Sequence, residues 1–242
     1  LRRRPGLPGE TDYVPAALSA AGIATAFASI FAAYALYDLI APYVAFAGLA
    51  IVALGALVLS RLQGPLIAAL GLLGSYATPA LIPSSDPSAW SFFPYLLIIL
   101  VACFATLRGR NWWWLAYAAI AGSGLWALLW IGGGVYERPD RLPIGLFSLL
   151  LGAIAVFGIK GLDILDTGSG SLKRPRSMTQ PLVVAVSGVA GAALVLAAQV
   201  GESDHSALAL ALFFVGMASA VALGWAKRGL SPLAAAAALV SF

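Results

Sequence analysis

The chain is expected to fold as an all-α, polytopic transmembrane helix bundle with about eight complete spans and a truncated ninth. Two observations carry that expectation. Hydrophobic residues make up 61% of the 242 and charged ones 10%, against roughly 45–50% and 25% in soluble domains. The charges are gathered into short clusters separated by apolar runs of about 20 residues, the length that crosses a hydrocarbon core about 30 Å thick. A soluble fold has no means of hiding that much apolar surface.

The expected spans follow in order, and together they make 1–242 a single integral-membrane domain. The first, Pro15 to Tyr37, is rich in Ala, and its proline suits a first turn, where a missing N–H costs nothing. A tight turn, Asp38 to Pro42, leads to the second, Tyr43 to Ser60, whose Gly48 and Gly55 lie seven apart on nearly one face. The third, Gly64 to Ile82, opens with Gly64-Pro65, and a turn-rich loop of Pro, Ser and Asp separates it from the fourth, Trp90 to Leu107. The fifth, Trp112 to Ile131, begins with three tryptophans beside Arg108 and Arg110, the composition of an interfacial anchor. The sixth runs from Leu142 to Ile159, the seventh from Pro181 to Val200 and the eighth from Ala207 to Ala226. Residues 160–180, with a Gly/Ser run and Lys173, Arg174 and Arg176, read as a cytoplasmic flexible linker. The chain starts at Leu1 without a methionine, and only a short apolar run follows Pro232. It is therefore expected to be a fragment whose partners are the lipid bilayer and the remainder of its own chain.

Loop charges set the expected direction, because cytoplasmic loops carry an excess of Lys and Arg. With the N-terminus inside, the inner segments hold 12 of the 14 basic residues, and the outer side keeps only Arg138 and Arg141. Six of the ten acids, Asp38, Asp86, Glu137, Asp140, Glu202 and Asp204, fall outside. This pattern places a multi-pass protein in a bacterial inner membrane with a cytoplasmic N-terminus. The formal charge of +4 resides in loops, so it describes membrane orientation rather than a nucleic-acid surface.

Chemistry is sparse. An ionisable group at the bilayer centre is a functional candidate by default, and each expected span interior lacks one. The single cysteine, Cys103, lies in an apolar run and reads as an inert packing residue. His205 with Glu202 and Asp204 can be drawn as a metal site, but a short polar loop is more simply solvated. No G-x-S-x-G is present, and Gly132 to Gly134 is not followed by the Lys-Ser/Thr of a phosphate loop. No catalytic residue, metal ligand or cofactor is expected.

One stretch stands apart: GLLGSYATP, from Gly71 to Pro79. Pro79 removes an amide N–H and crowds the Ser75 carbonyl four residues back, so the helix is expected to kink or end there. Ser75, Tyr76, Thr78 and Pro79 would then sit beside loosened backbone, which is tolerated at membrane depth where it is buried in protein or lines a wet cavity. Transporters use such broken helices to hold substrates. The competing reading makes Gly71 and Gly74, with Gly48 and Gly55, small faces for close helix packing, and has Thr78 satisfy a local carbonyl.

The same stretch, GLLGSYATPALIPSSDPSAW, carries a family likeness together with AAGIATAFASIFAAYALYDLIAP before it and RGRNWWWLAYAAIAGSGLWALLW after it. Over Leu1 to Ile131 the chain resembles the bacterial predicted-membrane-protein family called domain of unknown function 2339. The resemblance implies a large polytopic membrane protein and transfers no reaction and no catalytic residue. Two functional expectations follow: a non-enzymatic scaffold or assembly component of the cell envelope, or a transporter or flippase for an apolar or amphiphilic substrate.

Overall fold

The computed structural model describes residues 14–82, 87–107, 110–158, 179–203 and 205–226. Both termini, residues 83–86 of the third loop, most of the 160–180 linker and the expected start of a ninth span lie outside the described residues. The described residues are all-helical, with no strand among them. The chain divides into two compact units, Leu1–Pro83 and Ser84–Phe242.

The first unit holds α1 (Val14–Ala35), α2 (Pro42–Gln63) and α3 (Pro65–Leu81). Helices α2 and α3 form a hairpin joined by Gly64 alone, whose φ of 107° and ψ of −175° belong to a backbone region open essentially to glycine. Proline follows at once as the first residue of α3, where no intrahelical N–H bond is lost. Helix α2 buries Ala45, Leu49, Ala53, Ala56, Leu57 and Ser60, and α3 buries Ile67, Ala68, Gly71, Leu72, Ser75 and Thr78. Both sets recur at the three- and four-residue steps that keep side chains on one helical face. Helix α1 contributes no fully buried residue and rests Phe27, Ile30 and Tyr34 on Ala45, Leu49 and Ile82. Asp38, which turns the chain toward α2, has a φ of 50°, a left-handed conformation that Asp tolerates better than most residues.

The second unit holds α4 (Ala89–Leu107), α5 (Trp113–Gly132), a 3-10 turn (Arg138–Asp140), α6 (Arg141–Phe157), α7 (Thr179–Glu202) and α8 (Ala207–Ala226). Helices α6 and α7 are the central pair: α7 touches α5, α6 and α8, while α6 also packs on α4 and α8. Phe93 of α4 joins three helices, its ring 5.7 Å from that of Trp130 in α5 and 5.1 Å from that of Phe147 in α6. His205 turns the chain between α7 and α8 with a φ of 59°, so this residue of the acidic loop has a conformational task.

Among the described residues six helices are long and apolar enough to cross a membrane, while Pro65–Leu81 and Ala207–Leu223 are shorter apolar helices. Large apolar side chains stand on the outer surface, among them Leu18, Ile51, Leu73, Leu125 and Phe214. Water penalises such a surface; acyl chains do not.

Candidate functional site

Two hydroxyls in the polar stretch of α3 bond within their own helix. Ser75 donates its hydroxyl to the Gly71 carbonyl at 2.8 Å, and Thr78 donates to the Gly74 carbonyl at 2.8 Å. Both residues are fully buried. Pro79 sits in the last turn, because α3 runs two residues further to Leu81 and closes with the Ile82 N–H on the Thr78 carbonyl at 3.2 Å. Pro79 offers no N–H to the Ser75 carbonyl, and only two helical residues follow it. Tyr76 is half-buried on the same helix.

The glycines of this unit have different surroundings. A Cβ added at Gly71 would stand 2.9 Å from the Leu57 backbone nitrogen and 3.0 Å from the Ala53 carbonyl oxygen, so α3 lies directly on the backbone of α2. One added at Gly74 would run into the Phe27 ring of α1. At Gly48 it would meet the Ile30 side chain at 3.3 Å, and at Gly55 it would meet nothing within 4 Å. Gly71 and Gly74 therefore hold helices together, Gly48 holds α1 more loosely, and Gly55 faces outward.

A second set of close approaches carries no signal in the glycine spacing. A Cβ at Gly188 of α7 would run into the Ala155 Cβ of α6, and one at Gly145 of α6 into Leu212 of α8. At Gly216 of α8 it would come within 2.9 Å of Leu196 and 3.3 Å of Leu149. A cavity of about 270 Å³ lies among these three helices, lined by Ser148, Gly152, Ala192, Leu196, Phe213 and Gly216 among others. Ser75, Tyr76 and Thr78 take no part in it.

The chain matches, over residues 1–242, the model of the family described as "Predicted membrane protein (DUF2339)". It belongs to that family. The match extends beyond Ile131 to residue 242. No curated protein and no solved structure matches the chain.

In this DUF2339 protein the described Asp, Glu, Arg and His residues keep to the helix ends and connections. Asp38 lies between α1 and α2, Arg61 is in the last turn of α2, and Arg110 precedes α5 with its guanidinium 5.1 Å from the centre of the Trp112 ring. Glu137, Arg138, Asp140 and Arg141 crowd the connection from α5 to α6, and Glu202 is the last residue of α7. The turn before α6 is held by Asp140, whose Oδ2 accepts from the Trp130 indole N–H at 3.1 Å and the Glu137 backbone N–H at 3.2 Å. The hydroxyls of Thr106 and Ser148 repeat the arrangement of α3, each donating to the carbonyl four residues back, at 2.8 Å and 2.9 Å. The buried hydroxyls of Ser75, Thr78, Thr106 and Ser148 are absorbed by their own backbone, which is how lipid-embedded polar groups avoid standing unpaired.

Proposed function

We propose that this chain is a non-enzymatic scaffold or assembly component of the cell envelope. It sits in a bacterial inner membrane with eight spans, the beginning of a ninth, and a cytoplasmic N-terminus. The lipid bilayer is its partner, and nucleic acid is not. The observation that carries this reading is the state of α3, its glycines set against neighbouring helices and its two hydroxyls bonded within the helix. Helices built in this way join to one another, and the Ser75 and Thr78 hydroxyls are bonded to their own backbone. A second reading, a transporter or flippase for an amphiphilic substrate, draws support from the apolar cavity among α6, α7 and α8.

Reconstitution separates the two. Vesicles of phosphatidylethanolamine and phosphatidylglycerol carrying a fluorescent lipid, treated with a membrane-impermeant quencher, should retain the inner-leaflet signal with or without the protein. The Ser75→Ala, Thr78→Ala double variant should behave identically. Its stability should stay within about 1 kcal/mol of wild type, because each lost bond is local and its donor is removed with it. Complete quenching in the presence of wild-type protein would overturn the scaffold reading in favour of lipid transfer.

Orientation has its own check. In a Cys103→Ala background, Asp86→Cys should react with an impermeant thiol reagent from the outer face and Lys173→Cys only after the membrane is opened. Labelling of both from one side would sink the eight-span arrangement.

A further inference from the structure

The cavity among α6, α7 and α8 differs from the close-packed joints around it. Its volume is about 270 Å³, well above the roughly 150 Å³ at which an apolar cavity in a protein core admits benzene. Small residues stand on all three walls: Gly152 of α6, Ala192 and Ala193 of α7, and Gly216 and Ala220 of α8. A Cβ added at Gly152 would meet only the Ala192 Cβ, at the ordinary contact distance of 3.5 Å. The two hydroxyls in the lining point their hydrogens elsewhere. Ser148 donates to the Ile144 carbonyl at 2.9 Å and Ser219 to the Val215 carbonyl at 2.7 Å. Ordered water in a cavity needs about two to four polar partners, and this lining has little to hold it. An empty space would forfeit the dispersion contacts of every atom around it. Hydrocarbon answers both demands.

The position of the cavity says where that hydrocarbon comes from. Its lining runs from Ser148 to Phe157 on α6 and from Phe213 to Leu223 on α8, about 14 and 15 Å at the helical rise. The space is therefore drawn out along the helices. On α7 the lining residues Val189, Ala192, Ala193 and Leu196 are all buried and form its floor. On the other two helices the lining reaches the outer surface, where Phe157 is 57% and Val215 is 52% exposed. Phe214 and Val221 stand on that same exterior of α8. In a membrane protein such a surface meets acyl chains.

We propose that the cavity holds one acyl chain of a membrane phospholipid, which enters sideways from the bilayer over the exposed edges of α6 and α8. Gly152, Ala192, Leu196, Phe213 and Gly216 hold it by apolar contact, with no hydrogen bond to the lipid. The site accordingly selects a chain and is indifferent to the headgroup, which stays outside. The seated chain completes the packing of α6, α7 and α8. This goes beyond the scaffold and transporter readings and rests on neither, because a chain can be held without its lipid being transferred.

The test uses the whole protein in vesicles that contain a little phosphatidylcholine with a diazirine midway along one acyl chain. After illumination, peptide mapping by mass spectrometry locates the label on α7. It should appear on the buried floor, at Ala192, Ala193 and Leu196, as well as on Leu194, which is 49% exposed on the same helix. Gly152→Leu places a side chain in the cavity and should reduce the floor label about tenfold while leaving Leu194 labelled as before. Ala153→Leu, from a partly buried position in the same lining, should act in the same direction. A phosphatidylglycerol probe with the same chain should give the same pattern. Wild-type label at Leu194 with none on the floor would overturn the proposal, since it marks a cavity closed to lipid and covered by another part of the chain. Undiminished floor label in a filled variant that keeps the wild-type unfolding midpoint would do so too. So would a severalfold difference between the two headgroups, or floor label from a diazirine-bearing free fatty acid and from neither phospholipid.

Discussion

Gly71→Leu is expected to be the most damaging single substitution in the first unit, at or above the upper end of the roughly 1–3 kcal/mol typical of overpacking. The reason is what the new side chain would strike. Its Cβ alone would stand 2.9 Å from the Leu57 nitrogen and 3.0 Å from the Ala53 oxygen, both backbone atoms of α2, so relief requires α2 and α3 to separate. Gly74→Leu should cost less, because it meets the Phe27 ring, and a side chain can turn aside where a backbone cannot. Gly55→Leu should remain within about 0.5 kcal/mol of wild type, since open space surrounds it. Reversible unfolding of the detergent-solubilised protein in increasing dodecyl sulfate measures all three. An equal loss at Gly55 and Gly71 would contradict the close approach of α3 to α2.

The second large effect is expected at the central pair of the other unit. Gly188→Ala adds one methyl where the Ala155 Cβ already stands, and should cost about 1–3 kcal/mol by forcing α6 and α7 apart. Ala155→Gly vacates that position. The double variant Gly188→Ala, Ala155→Gly should therefore recover most of the loss, with a coupling energy of about 1–2 kcal/mol. Additive losses in the same unfolding assay would show that the two residues do not share one contact.

The all-helical, membrane-embedded character of the chain was legible because lipid imposes a strong rule on sequence: long apolar runs, with charge confined to their ends. Family membership was legible from GLLGSYATP and its flanks, and the match extends over 1–242. Glycine contacts were legible only in part. A seven-residue spacing puts Gly48 and Gly55 on one helical face, but it does not say that Ile30 covers the first and nothing covers the second. Pro79 is expected to kink or end its helix, and α3 runs two residues past it to Leu81. The bond from Gln199 of α7 to the Arg141 carbonyl was illegible, since 58 residues separate the two and only packing of α6 against α7 brings them together. The one local signal was a lone glutamine near the end of an otherwise apolar run.

The joint at Gly64 bears on how the protein enters its membrane. Seventeen helical residues reach about 25 Å, short of a hydrocarbon core of about 30 Å. On the eight-span reading, α3 is therefore a poor candidate for independent insertion. With a single residue between them, α3 cannot leave the end of α2, whose 22 residues reach about 33 Å. The insertion machinery thus meets one folded-back arm, partitioned as a whole, in which the longer helix carries the shorter into the bilayer.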